Sequence, residues 1–192
     1  MGKGRLEAFS DGVIAVIITI MVLEMKVPHA TDLAALEGLV PVFLSYVLSF
    51  IYVGIYWNNH HHLLHVAHRV DGSVLWANLH LLFWLSLFPF ATGWMGENHF
   101  SAMPTAAYGF VLFAAAIAYF ILQRTIIAAN GGADSKLAEA LGKDFAGKIS
   151  PVLYASAIPL AFYNQWISDA IYVLVAAIWF IPDRRIEKVI SE

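Results

Sequence analysis

Residues 5–24 read RLEAFSDGVIAVIITIMVLE, and the placing of the few charges in this stretch decides the solvent in which the chain folds. The uninterrupted apolar run, Gly12 to Leu23, covers only about 18 Å as an α-helix, short of the ~30 Å of a hydrocarbon core. A helix that crosses must carry Asp11 near one end and Glu24 near the other. Ionisable groups at membrane depth face protein or water rather than lipid, so this helix is a candidate cavity liner. Val16, Thr19, Ile20 and Leu23 stand at i, i+3, i+4 and i+7 and share one face, with Thr19 its only hydroxyl. Ordinary helix packing predicts the same pattern, because the run is apolar all round.

The rest of the chain agrees with a bilayer. Of its 192 residues 60% are hydrophobic and only 13% charged, at a mean hydropathy of +0.69. That is more apolar surface than one soluble core can bury. Stretches able to cross fall at about 6–27, 38–57, 74–95, 104–123, 149–163 and 167–181. The expected fold is an all-α integral membrane protein, one domain over 1–192 with six transmembrane helices. Alternating ten-residue strands are absent, which excludes a β-barrel. Pro28, Pro41, Pro104, Pro151 and Pro182 sit near expected helix ends, whereas Pro89 and Pro159 lie inside and predict kinks. After Asn130-Gly131-Gly132, the Ala/Leu/Lys/Glu stretch from Ser135 to Lys143 predicts a short helix. With no internal repeat, a symmetric pore needs several subunits.

Orientation follows from the bases. With a cytoplasmic N-terminus, Lys3, Arg5, Arg69, Arg124, Lys136, Lys143, Lys148, Arg184, Arg185 and Lys188 fall inside, and only Lys26 outside. Both termini are then cytoplasmic. The outer side carries Glu24, Asp32, Glu37, Glu97 and Asp169, a negative face that concentrates cations, although simple solvation explains these charges equally well. Asp11 interrupts the region where a signal peptide turns apolar, so the first helix is read as a span. The net charge of −3 offers no basic patch for nucleic acid. Zero cysteines remove disulfides, thiolate metal sites and Cys nucleophiles.

A second concentration of polar groups is Trp57-Asn58-Asn59-His60-His61-His62, followed by His65 and His68. His61, His65 and His68 fall at i, i+4, i+7, a spacing open to a metal or a pH sensor, but solvated imidazoles at a helix end are the plainer reading. An intramembrane Asp11 needs donors, which Trp57 Nε1, an imidazole such as that of His60, or the Asn78 amide can supply. His60 or His61 paired with His80 raises a haem-binding membrane oxidoreductase as a rival, and the titratable His60, His65 and Asp11 raise a proton pathway. No nucleophile elbow, P-loop or H-E-x-x-H motif appears, so no enzyme is expected.

Arg5-x-x-x-Phe9-Ser10-Asp11, opening an Ile/Val-rich helix, resembles the R-x-x-x-F-S-D signature of the transmembrane protein 175 potassium channels. Trp57 with the Asn/His run, Asn78-Leu79, Leu87-Phe88-Pro89-Phe90, Thr92 and Glu97 resemble the same family's second and third helices. The resemblance implies a homotetramer of six-helix subunits around a central pore lined by the first helix, passing K+ in preference to Na+. It implies a narrow hydrophobic ring at Val16, further layers at Ile20 and Leu23, and an ion-facing hydroxyl on Thr19. The family more usually carries isoleucine at the Val16 position, one methylene more per subunit. Arg5 and Asp11 are implied to pin the first helix through Trp57, His60 and Asn78. No cofactor is implied; the partners are further copies of the chain, K+ and the bilayer, in a prokaryotic plasma membrane.

Overall fold

The computed structural model describes residues 2–132, 135, 138 and 145–180, and among them the ordered elements are all helical. They are α1 (Lys3–Ile20), continued by a three-ten turn at Met21–Glu24, the short α2 (Ala34–Glu37), α3 (Val40–His65), α4 (Gly72–Ser86), α5 (Phe88–Glu97), α6 (Ala102–Ala129), α7 (Phe145–Leu160) and α8 (Gln165–Phe180). Among the described residues four stretches are long and apolar enough to cross a membrane: Lys3–Glu24, Val40–His65, Gly72–Glu97 and Ala102–Ala129. The 16-residue α7 and α8 are apolar but reach only about 24 Å each.

Differences from the expected boundaries have local causes. The second helix was expected to stop at Trp57, where polar residues begin, but α3 continues to His65. Part of its polar tail is met by the protein itself: Asn59 donates to the Ile55 carbonyl and His60 is buried, while Asn58, His61 and His65 stay exposed. Proline at 89 has no amide to give the Leu85 carbonyl, so the third expected span is two helices, α4 and α5, joined at Leu87. α7 begins at Phe145, ahead of the expected start, which puts Pro151 inside it, while Pro159 lies in its last turn rather than at a mid-helix kink. The expected helix over Ser135–Lys143 falls largely outside the described residues, as do Lys136, Lys143, Ile181, Pro182, Arg184, Arg185 and Lys188.

α6 is the central post, packed against α4, α5, α7 and α8. Small residues let the helices close on one another. A Cβ at Gly96 would meet the Ser45 hydroxyl and the Val42 Cα, so α5 crosses α3 at backbone distance. A Cβ at Gly109 would meet the Tyr172 hydroxyl, so α6 receives that ring only because position 109 has no side chain.

Several polar groups inside the bundle are paired with one another, as an apolar surround favours. Thr92 Oγ1 donates to Ser49 Oγ at 2.6 Å, and Ser49 meets the Tyr108 hydroxyl at 3.0 Å, joining α5, α3 and α6. Tyr52 donates to the Tyr172 carbonyl at 2.6 Å, tying α3 to α8. The ring of Phe88 packs edge-on against Tyr108 and Tyr56. Asn130 closes one end of the bundle. Its Oδ1 accepts from the His68 and Arg69 amides, and its Nδ2 donates to the Arg69 carbonyl, fixing the α3–α4 loop against the end of α6.

Candidate functional site

α1 has two unlike sides. Leu6, Ser10, Ile14 and Ile17, with Met21 in the turn that follows, are buried against the bundle, at the three- and four-residue spacing of a helix stripe. On the other side Phe9, Val16, Ile20 and Leu23 are 49%, 54%, 41% and 75% exposed. Thr19 shares that side, and its hydroxyl donates back to the Ala15 and Val16 carbonyls. A hydroxyl whose proton is spent on its own helix presents lone pairs outward, as an acceptor. Beyond Ile20 the backbone tightens into the three-ten turn, in which residues three apart eclipse. That change turns Leu23 toward the side of Ile20, where a continued α-helix would offset the two by about 60°.

A groove runs beside this face. It is lined by Phe9, Val16 and Ile20 of α1, and across from them by Phe90, Gly93 and Trp94 of α5. Glu24 closes its far end, folded against Gly93; a Cβ at 93 would come within 2.8 Å of the Glu24 carboxylate. Next to it Lys26 and Glu97 pair at 2.7 Å across an exposed surface.

The buried side of α1 is held by a directional chain of hydrogen bonds. Ser10 Oγ donates to the Leu6 carbonyl, Asn78 Nδ2 donates to Ser10 Oγ at 2.9 Å, and His60 Nε2 meets Asn78 Oδ1 at 2.7 Å. Since Asn78 Oδ1 can only accept, His60 carries its proton on Nε2. All three side chains are at most 1% exposed. One residue along, Trp57 Nε1 donates to Asp11 Oδ1 at 3.0 Å on the exposed side. Of the three donors expected for Asp11, therefore, only Trp57 reaches it; Asn78 donates to Ser10 instead, and His60 to Asn78. Arg5 is exposed, and its guanidinium has no ion-pair partner among the described residues.

Other sequence candidates separate in space. His61 stacks on Trp57 with centroids 6.3 Å apart and lies 6.0 Å from the His65 ring. His68 does not share their helical face, because α3 ends at His65 and the His68 amide is tied to Asn130. Among the described residues no group of three His, Cys, Asp or Glu side chains is disposed to hold a metal. His80 Nε2 accepts from Trp84 Nε1 while His60 Nε2 is engaged with Asn78, so the pair is not brought together for haem. Asp169, expected among the outer-loop charges, belongs to α8, and both its carboxylate oxygens are occluded with no hydrogen-bond partner. The α5 wall of the groove was not anticipated either. Phe90, exposed, and Trp94, half-buried, are aromatics one helical turn apart and are the signal that marks it.

The Endosomal/lysosomal potassium channel TMEM175 family model matches residues 5–89, which span α1, α3, α4 and the start of α5. A potassium channel of Chryseobacterium sp. (strain P1-3) is 56% identical over all 192 residues, covering the whole of both chains. The endosomal/lysosomal proton channel TMEM175 of Homo sapiens is 38% identical over 96 residues, 43% of this chain and 19% of that protein. The crystal structure of a lysosomal potassium-selective channel TMEM175 homolog from Chamaesiphon minutus superposes with a TM-score of 0.81 at 28% identity, covering 93% of this chain and 96% of that one. This chain belongs to the TMEM175 family.

Proposed function

We propose that the chain is a passive, potassium-selective cation channel in which four copies surround a pore lined by the exposed face of α1. The observation that carries this reading is that face itself: an apolar stripe of Val16, Ile20 and Leu23, bracketed by Asp11 and Glu24 and left 41–75% exposed by the described residues of its own chain. Lipid has no use for acids at the ends of such a stripe, whereas a water-filled axis does. Kinship with chains named potassium channels supports the choice of ion.

In this reading each subunit has six spans and forms one domain over 1–192, with α7 and α8 as the fifth and sixth. Their shortness is met by local thinning of the bilayer. Both termini are cytoplasmic, in the plasma membrane of a prokaryote. Around the axis Val16, Ile20 and Leu23 form stacked hydrophobic rings. The sequence carries no T-V-G-Y-G loop, so selectivity has no carbonyl cage to rest on. A hydrophobic ring instead charges an ion for the water it must shed, and K+ sheds water more cheaply than Na+. Dewetting of the same rings closes the path. The outward lone pairs of Thr19 give a partly dehydrated cation a polar contact between rings. Ser10, Asp11, Trp57, His60 and Asn78 hold α1 at its angle and do not touch the ion. Neither a cofactor nor an enzymatic step enters.

Purified protein reconstituted in liposomes with a K+ gradient is expected to carry K+ faster than Na+ and to exclude chloride; chloride flux equal to K+ flux overturns the reading. The naming of animal relatives as proton channels supports a second reading, proton conduction through the same path. It is separated by recording the internal pH of liposomes free of K+: sustained acidification under a pH gradient favours protons.

A further inference from the structure

Two contacts fix the register of α1 against the last turns of α3. Asp11 Oδ1 accepts from Trp57 Nε1 at 3.0 Å, and Lys3 Nζ donates to the His65 carbonyl at 2.7 Å. The two helices are therefore antiparallel here, and the contacts lie eight residues apart along each. Residues four apart share a helix face, so Glu7, midway on α1, stands opposite His61, midway on α3. Two observations agree. His61 stacks on the Trp57 ring that reaches α1, and the charge of Glu7 is felt, with that of Asp11, at the neighbouring buried His60. Yet this middle rung is unmade: neither the Glu7 carboxylate nor the exposed His61 imidazole has a hydrogen bond or an ion pair.

Imidazole is the side chain that gains a charge and a second N–H on mild acidification. Among the described residues, the groups around His61 divide in sign. On its own helix the rings of His62 and His65, at 5.6 and 6.0 Å, oppose a further positive charge. From α1, Glu7 and Asp11 favour it, and Lys3, held at the His65 carbonyl, opposes it. At the start of α4, Asp71 is occupied by the Val74 amide, and on α6 Arg124 is stacked over Phe120. Asp11 already serves Trp57, so Glu7 is the uncommitted acid. We propose that Glu7 and His61 are positioning residues for α1: protonated His61 closes the middle rung, held between the Glu7 carboxylate and the Trp57 ring, and clamps the first two turns of α1 to the end of α3. The helix is then anchored by three rungs in acid and by two in base. The consequence for conduction rests on the channel reading above; the rung itself does not, and it is tested without ion flux.

The full chain in detergent is melted at about pH 5.5 and about pH 8, on either side of the imidazole range, unaltered and as Glu7→Gln, His61→Gln and the double variant. The other histidines titrate in all four proteins, so the non-additivity of the two substitutions isolates the rung. The pair adds stability where the imidazole is charged and none where it is neutral. In acid the double variant should therefore melt about 1–3 °C above the midpoint that the summed single losses predict, as an exposed ion pair allows. At the higher pH the losses should add. Additive losses at both values overturn the pairing, and equal non-additivity at both overturns its titration. The register is tested separately in the cysteine-free chain with a short bis-methanethiosulfonate. Glu7→Cys with His61→Cys should take up one bridging reagent per chain by mass, whereas Ala8→Cys with His61→Cys should take up two separate ones. The same product from both pairs, or no bridge in the first, overturns the juxtaposition.

Discussion

His60, Asn78 and Ser10 show how much depends on single hydrogen bonds when water is excluded. His60 Nε2–H has one acceptor, Asn78 Oδ1, and Ser10 Oγ takes its only side-chain donor from the same amide. Asn78→Leu keeps the volume and strands the His60 Nε2–H, while Ser10 Oγ keeps its bond to the Leu6 carbonyl, which should cost about 1–3 kcal/mol and lower the melting temperature in detergent by several degrees. A loss under about 1 kcal/mol would mean that water satisfies the imidazole. Asp11 is different. Asp11→Asn retains an oxygen for Trp57 Nε1, so the bond survives with its charge assistance removed, at roughly 1 kcal/mol. In that variant the fraction of assembled protein on a sizing column should fall further than K+ flux per assembled channel. Val16→Ala and Leu23→Ala belong to the other face: each should raise leak and reduce the K+ over Na+ preference in liposomes. Unchanged permeability ratios in both would remove them from the pore.

Among the elements, the contact between α3 and α5 is the most sensitive, because at Gly96 the obstacle is backbone. A methyl there meets the Val42 Cα at 2.7 Å, which cannot swing away as a side chain can. Gly96→Ala should therefore lower stability by about 1–3 kcal/mol, read as a fall in thermal midpoint in detergent. Its effect should exceed that of Gly93→Ala, where only the Glu24 carboxylate has to turn aside. These two glycines mark where reading the sequence reached its limit. Hydropathy located the apolar segments, since burial in lipid is a property of composition, but it stopped α3 at Trp57, eight residues early. It had no means of knowing that Asn59 would bond its own helix or that Asn78 would shelter His60. Pro89 was legible as a disturbance because the missing amide is local, whereas the close approach at Gly96 depends on residues some fifty positions away. The stripe on α1 was legible as a face; that Leu23 turns toward the side of Ile20 comes from the three-ten turn, which no periodicity announces.

At the scale of the molecule, one chain leaves large apolar side chains uncovered on several sides, and exposure alone does not distinguish a pore from a lipid boundary. Val16 and Leu23 are 54% and 75% exposed, while Phe110 on α6 and Val173 on α8 are 51% and 55% exposed. The first pair lies on a helix that ends in acids, whereas α6 carries none and the one acid of α8, Asp169, has both carboxylate oxygens occluded, which is the physical ground for assigning water to one and lipid to the other. The proposed ring is compatible with the same asymmetry: the α1 face and the α5 wall of the groove are different surfaces, and unlike surfaces that meet head to tail form a cycle where the rotation closes, not a two-fold pair. The chain contains no cysteine, so single introduced thiols report their surroundings without a background. Thiolates react and thiols do not, and thiolates exist only where water reaches. In the assembled protein in a bilayer, Val16→Cys and Leu23→Cys should react with a charged, membrane-impermeant methanethiosulfonate, and the modification should reduce K+ flux. Phe110→Cys and Val173→Cys should stay unmodified for the same exposure and leave flux unchanged. The reverse pattern, reaction at α6 and α8 with none at α1, would put the water path on the opposite side of the subunit and remove α1 from the axis.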